Sequence, residues 1–401
     1  MHKTGRLGGW CEFLLGDLGV PPNLIFPQDW VIEGIEKTFV NALDIHCHCL
    51  IGALTLSYII DVTVYLRSIS EGDRVSLARS EADMSTLFLS KNDVRSLLNM
   101  AEVIEAVEQA FKDWALGRAK MPPKAYLVLE QGDFRAMPGA IPGAAGMKWV
   151  NVHPQNQPLG LPTIMAILIY NDPATGYPLA VMDATDITAY RTGATAAMAS
   201  KYLARKNSHT LGIVGAGRQS YTQLMAHGEL FDLRRIKVFD QRAAAVETLI
   251  KSFPAYSIQA CSLEEMVDSD IVCTVTPARE PFLKSEWVRP GTHINAIGAD
   301  AEGKEELDPS ILKKAVVVVD DLRQAAAAGE INVPVRKGLF AVEEVYATLG
   351  EIVVGKKQGR KDPQAITIFD STGVAIEDIA VAKLVYDKAR KAGGYLSLDF
   401  V

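Results

Sequence analysis

The sequence predicts an α/β protein in two parts, a doubly wound parallel sheet and a discontinuous, antiparallel-rich α+β domain. Three observations predict it. Thr210–Asp240, TLGIVGAGRQSYTQLMAHGELFDLRRIKVFD, reads as strand, glycine turn, helix, strand and acid, the layout of a Rossmann-type dinucleotide-binding unit. After it, short apolar runs in VDSDIVCTVTP, THINAIGAD and AVVVVDD alternate with helical segments, as in a mostly parallel sheet. Before it, strand-like runs from Met84 to about Asp183 follow one another through Gly, Pro and Asp turns, which suits antiparallel pairing.

In chain order, Thr86–Leu89 reads as a strand, and Ser90 with Asp93 resembles a helix start. Met100 to Leu116 carries Val103, Ile104, Val107, Ala110, Phe111 and Trp114 on one helical face and stops at Gly117. Pro122-Pro123 forces an extended entry into the strand Lys124–Glu130, and Gly132-Asp133 turns it into Phe134–Met137 as a hairpin. Further strands follow at Gly146–Val152, Thr163–Tyr170 and Leu179–Asp183, then a small-residue helix from Asp186 to Arg205. Past the glycine turn, Leu263–Val267 ends a helix, and Ile271–Thr274, His293–Ile297 and Val316–Val319 are strands. After about Asp321 the chain reads as helices with loops, at Val342–Val345 and Ile376–Arg390, with Thr367–Gly373 between them. The late helix, carrying Ile379, Val381, Ala382 and Val385, is expected to return to the first domain.

The glycine turn has a chemical purpose. Gly215 permits the tight turn, and Gly217 lets backbone N–H groups approach a pyrophosphate at a helix N-terminus. Asp240, roughly twenty residues on, is placed to accept hydrogen bonds from both ribose hydroxyls, which favours NAD over a 2′-phosphorylated cofactor. Arg242 beside it softens that preference, and Ser220 stands where the third glycine of the fingerprint usually does.

With 401 residues the chain has room for two or more domains, and 48% hydrophobic with 22% charged residues is ordinary for a globular enzyme. A net charge of −7 leaves no basic footprint for nucleic acid. Cys11, Cys47, Cys49, Cys261 and Cys273 make no disulfide framework and read as reduced thiols of a cytoplasmic protein. Residues 1–83 do not match the rest of the chain. They lack a secretory signal, and Cys49–Leu66 is apolar but interrupted by Asp61. His46-Cys47-His48-Cys49 has no second ligand pair at structural-zinc spacing, so no metal is expected. Met84 looks like an independent start, which makes 1–83 an upstream extension of no assigned role.

Three cationic residues fall where strands end or turn: Arg135, Lys148 and Arg191. Lys148 lies in the apolar strand GMKWVNV, where alternation puts it on the face of Val150, opposite Met147 and Trp149. A lysine facing a cleft from a strand loses hydration and shifts towards its neutral, basic form. Arg191 opens RTGATAA and suits bidentate capture of a carboxylate or phosphate. Asp300 follows a strand at the carboxyl edge, where ligands of open α/β sheets bind. Cations for a carboxylate, a lysine base, an aspartate and NAD suit oxidation of a 2-amino or a 2-hydroxy acid, and composition does not separate the two.

FRAMPGAIPGAAGMKWVNVHPQN, GLPTIMAILIYNDPATGYPLAVMDATDITAYRTGATAAMASKYLARKNS, GAGRQS, THINAIGAD and IFDSTG together resemble the ornithine cyclodeaminase/μ-crystallin family, above all its archaeal NAD-dependent alanine dehydrogenase branch. The resemblance covers Met84 to about Asp399. It implies a substrate and dimerisation domain at 84–203, an NAD-binding Rossmann domain at 204–321, and a C-terminal part at 322–401 returning to the first. It implies that Lys148 and Asp300 are catalytic, and that Arg135, with Lys148 and Arg191, contacts substrate. Cofactor contacts are implied for Arg191, Gly215, Gly217, Arg218, Gln219, Asp240, Gln241, Arg242, Gly298, Ala299, Asp300, Lys304 and Ser371. Cyclodeaminases of the family carry a glutamate at the position of Arg135, to hold the distal amine of ornithine. An arginine there repels that ammonium and favours a short substrate.

The expected function is reversible oxidation of L-alanine to pyruvate and ammonia with NAD, in a cytoplasmic homodimer with no membrane association of 84–401. Its rivals are ornithine cyclodeamination, reduction of cyclic imines, and a non-enzymatic ligand-binding role like that of μ-crystallins.

Overall fold

The computed structural model describes residues 85–399, all within one compact unit, Ala82–Val401. The His46–Cys49 quartet, the apolar run Cys49–Leu66 and the start expected at Met84 lie outside the described residues.

The first half builds one sheet. Its strands are β1 (Thr86–Leu89), β2 (Ala125–Leu129), β3 (Gly132–Ile141), β4 (Ala144–Val152), β5 (Ile164–Asn171) and β6 (Pro178–Asp183). The last strand of the chain, β15 (Leu396–Leu398), completes it in the order β15-β1-β6-β5-β4-β3-β2. Every pair is antiparallel except β1 with β6. Local chemistry sets the edges of its helices. Ser90 and Asp93 close a reciprocal capping box at the start of α1 (Lys91–Leu97), satisfying backbone donors that the first turn leaves open. Asn99 caps α2 (Met100–Ala115), which buries Val103, Ile104, Val107, Ala110 and Phe111 and ends before Gly117 at φ +74°. The small-residue helix α3 (Thr185–Leu203) is buried over most of its length, because Ala and Gly let neighbours approach on several faces.

The second sheet is wholly parallel. Its strands are β7 (Thr210–Val214), β8 (Arg235–Phe239), β9 (Ile258–Ala260), β10 (Ile271–Thr274), β11 (His293–Ala296), β12 (Ala315–Val319), β13 (Ala347–Thr348) and β14 (Ile366–Asp370). They run in the order β13-β12-β14-β11-β10-β7-β8-β9. The order reverses at β7, so the crevice for a ligand lies between β7 and β10, at the carboxyl ends of the strands. Helices α4 (Arg218–Leu230), α5 (Ala243–Ser252), α6 (Leu263–Val267) and α7 (Pro309–Lys314) connect its strands.

The region after Asp321 differs from its sequence reading. It holds the short helices α8 (Leu322–Ala328), α9 (Asn332–Arg336) and α10 (Leu349–Val353), and Val342–Glu344 is a single 3-10 turn. Ile366–Asp370, expected between helices, is a buried strand hydrogen-bonded on both sides, to β11 and β12. Only after β14 does the chain cross back, as α11 (Ala375–Ala392), to pack on α2, β3 and β4. Among the described residues no helix is long and apolar enough to cross a membrane.

Candidate active site

Acids at the carboxyl edge of the parallel sheet hold the loops around the crevice. Asp240, just past β8, accepts from the backbone N–H of Ala216 at 2.7 Å and of Arg242 at 2.8 Å. Asp320, just past β12, accepts from the N–H of Thr372 at 2.6 Å and Gly373 at 2.7 Å. Glu306 accepts from the N–H of Thr276 at 2.8 Å and Gly298 at 2.9 Å, joining the loops after β10 and β11. Each carboxylate thus accepts from loop backbone N–H groups, which braces the loops around the crevice.

The glycine turn fits a pyrophosphate. Gly215 sits at φ +99°, where a Cβ would lie 3.0 Å from the carbonyl oxygen of Val275. Gly217 is the N-cap of α4, which has no side-chain cap, and a Cβ there would meet nothing within 4 Å. That combination leaves room for an anion beside first-turn N–H groups. Ser220, in place of the third glycine, is buried and turns its hydroxyl onto the carbonyl of Gly217 at 2.6 Å.

Across the crevice, the first sheet presents cations. Lys148 and Val150 are buried on one face of β4, and Val150 is directly opposite Arg135 on β3, so Arg135 and Lys148 share that face. Arg135 grips Asp133 with Nε at 2.6 Å and Nη2 at 3.2 Å, and its Nη1 reaches Asp300 Oδ2 at 2.8 Å. Lys304 holds the other oxygen of Asp300. Burial alone would raise the Asp300 carboxyl, but Arg135 and Lys304 outweigh it and hold the acid well below the usual range. Lys148 is fully buried, and its Nζ donates to Asp378 Oδ1 at 2.7 Å. Burial outweighs that attraction and pushes the amine down to about 7. Arg191, on α3, donates from Nε to Asp378 Oδ1 at 3.1 Å and from Nη1 to Glu377 Oε2 at 2.9 Å. Burial pushes Glu377 up to about 7.

Of the residues singled out from sequence, the structure gathers Arg135, Asp300 and Lys304 in one group and Lys148 and Arg191 in another. Gly215, Gly217, Asp240 and Arg242 meet at the turn, while Gln241 is exposed beside them. Gly298, Ala299 and Ser371 line the strand-end loops; Ala299 is buried, and Ser371 N–H donates to Ala296 O at 3.0 Å. Gln219 lies against Thr222 on α4, and Arg218 turns onto Asp186, at the start of α3, which also holds Arg95 at 3.0 Å.

Sequence reasoning missed Lys124, Asp133, Asp320, Glu377 and Asp378. Lys124 donates to Thr372 O at 2.5 Å; burial, then the charge of Arg135, push its amine down to about 8. The attraction of Asp320 and Asp300 and the repulsion of Arg191 also reach it, so it sits between the two groups of cations. The one sequence signal for it was a lysine directly after Pro122-Pro123.

Gly373 closes the site from the other side, at φ +73°, where a Cβ would fall 2.3 Å from Arg191 Nη1. Gly373→Ala is therefore expected to displace the guanidinium and lower stability by about 1–3 kcal/mol, read from thermal unfolding. An unchanged melting temperature would show that Arg191 yields without cost.

A parallel sheet with a glycine turn at its switch point, faced by buried cations from a second sheet, defines a two-part Rossmann-type protein. The chain belongs to the ornithine cyclodeaminase/mu-crystallin family, whose model matches residues 84–393. An alanine dehydrogenase of Archaeoglobus fulgidus is 54% identical over 308 residues, covering 76% of this chain and 96% of that protein. Among solved structures, an archaeal alanine dehydrogenase dimer with bound NAD superposes with TM-score 0.78 at 52% identity, covering 79% of this chain and 100% of that one. The Δ1-pyrroline-2-carboxylate reductase of Thermococcus litoralis, in complex with NADH and L-proline, gives 0.76 at 39%, covering 78% and 100%.

Proposed function

We propose that this protein catalyses reversible, NAD-dependent oxidative deamination of L-alanine to pyruvate and ammonia. The observation that carries the reading is a buried lysine amine at about 7, on the strand face it shares with Arg135, whose guanidinium reaches the carboxylate of Asp300. The 54% identity to an alanine dehydrogenase supports it. NAD, when bound, supplies the acceptor for the hydride of the α-carbon. Gly215, Gly217, Arg218, Gln219, Asp240, Gln241, Arg242, Gly298, Ala299, Lys304 and Ser371 are assigned to hold it, at the carboxyl edge of the parallel sheet. Arg135, Arg191 and Lys124 orient the substrate carboxylate, which brings the reacting carbon to a fixed position. Lys148 takes up and returns protons at the substrate nitrogen and at the attacking water. Asp300, held ionised, orients the amine.

Arg135 counts against ornithine, whose distal ammonium would face a guanidinium rather than a carboxylate. Reduction of a cyclic imino acid is the second reading, favoured by the 39% identity to the pyrroline-carboxylate reductase. Stoichiometry tests the proposal. L-alanine and NAD should yield NADH, ammonia and pyruvate in equal amounts. L-lactate giving NADH where L-alanine gives none would indicate a hydroxy acid as substrate, and ornithine releasing ammonia without net NADH while alanine stays inert would indicate a cyclodeamination; either would refute it.

The same reading makes the protein a cytoplasmic homodimer formed through the first sheet, in keeping with the dimeric structure of the relative. Ile167 and Ile169 of β5 are 50% and 40% exposed, and β2 is exposed along its whole length with Leu127 and Val128, an apolar surface of the kind that marks an interface. Ile167→Lys with Ile169→Lys should convert the dimer to monomers in sedimentation. A double variant that stays dimeric would move the interface elsewhere.

A further inference from the structure

We infer that Asp378 is a positioning residue for Lys148: one carboxylate oxygen, shared with Arg191, fixes where the amine points and governs when it carries a proton. This rests on the reading of Lys148 as the acid–base group.

The residues that flank Lys148 across the sheet are Met137 on β3 and Leu168 on β5, both buried and apolar. They offer the amine no hydrogen bond. The charges that face it come from other elements: Asp378 and Glu377 from α11, Arg191 from α3 and Lys124 from the segment before β2. Arg191 and Lys124 repel the ammonium, while Asp378 and Glu377 favour it, and of these acids Asp378 takes the hydrogen bond from Nζ. The neighbouring acid, Glu377, is turned onto Nη1 of Arg191, and Asp320 and Asp378 face it in turn. The two acids therefore divide the labour: Glu377 neutralises Arg191, while Asp378 bridges Arg191 and Lys148 through the same Oδ1. Its second oxygen, Oδ2, is buried without a hydrogen-bond partner among the described residues. A carboxylate with one oxygen unsatisfied is costly to keep in a core. The fold keeps it there where it touches the lysine.

The backbone is shaped to deliver it. Gly139 on β3 and Gly146 on β4 are directly opposite one another. A Cβ at Gly139 would lie 3.2 Å from Ala375 Cβ, and one at Gly146 would lie 3.1 Å from Ile379 Cδ1. This pair of glycines is a notch into which the first turn of α11 seats, and Asp378 lies in that turn between the two contacts. Closeness of helix to sheet sets the length of the Lys148–Asp378 contact.

The test reads the lysine directly, without substrate. Protein labelled with carbon-13 at the lysine Cε is titrated by NMR, and the resonance missing from Lys148→Met is assigned to Lys148. In the wild type it should titrate near neutrality. In Asp378→Asn the midpoint should fall by at least about one pH unit, because the neighbouring opposite charge is gone. The acid limb of kcat/KM for alanine should fall with it. An NMR midpoint that stays in place would overturn the inference, whatever the activity. A shifted midpoint in a protein inactive on alanine would uphold it and refute the alanine reading instead. Asp378→Glu keeps the charge, so it should titrate close to the wild type with a lower kcat. If the asparagine variant does not fold, a large downward shift in the glutamate variant would overturn the inference by itself.

Discussion

Replacing Lys148 with alanine should lower turnover of alanine by about 10²–10⁴-fold, the range for loss of a general acid–base group, and leave NAD affinity nearly unchanged. The lysine sits on β4 and the glycine turn after β7, so the two functions occupy different sheets. The fold should survive the change. With the lysine gone, Arg191 still faces both Glu377 and Asp378, and Glu377, already pushed up to about 7 by burial, takes up a proton to balance the charge. NAD titration monitored by fluorescence, beside steady-state kinetics, separates the effects. Equal loss of both would count against a catalytic role. The pH profile has a definite sign. As the base in oxidation Lys148 must be neutral, so activity should fall about tenfold per unit as pH drops below about 7 and level off above it. The reductive direction needs the protonated form and should weaken above the same pH.

Arg135→Met should reduce kcat/KM for alanine about 10²-fold or more, on the scale of two charge-assisted hydrogen bonds at roughly 1.5–3 kcal/mol each. The loss has two parts. The guanidinium joins the sheets by bridging Asp133 on β3 and Asp300 past β11, and without it Lys304 is the cation left on Asp300. The Asp300 carboxyl should then rise towards its ordinary value, and the substrate carboxylate loses a partner. Arg135→Lys should not restore activity, because an ammonium cannot hold Asp133 through a fork and reach Asp300 at once. Steady-state kinetics on both variants checks this, and a lysine variant with wild-type kcat/KM would reduce Arg135 to a bare charge.

What the sequence made legible was local. The capping box at Ser90, the buried face of α2, the turn at Gly215 and the side of β4 that carries Lys148 all arise from patterns a few residues long. Long-range partners were not legible. Glu377 and Asp378 stand in the first turn of α11, where acids suit a helix N-terminus, yet they meet cations 186 and 230 residues earlier in the chain. The glycine motif located the backbone around Arg218, whereas its side chain is drawn to Asp186, a residue the motif does not contain. β14 takes its place from pairing with β11 and β12, earlier strands that its own five residues do not indicate.

On the proposed function, this site takes a short amino acid. The most direct measurement follows NADH consumption with pyruvate plus ammonia and, in parallel, with Δ1-pyrroline-2-carboxylate, and compares kcat/KM. A site with the buried guanidinium of Arg135 in it predicts the larger value for pyruvate and ammonia, with no NAD-dependent release of ammonia from ornithine. A preference for the cyclic imine would contradict it, and would make Arg135 a residue that tolerates a ring rather than one that selects alanine.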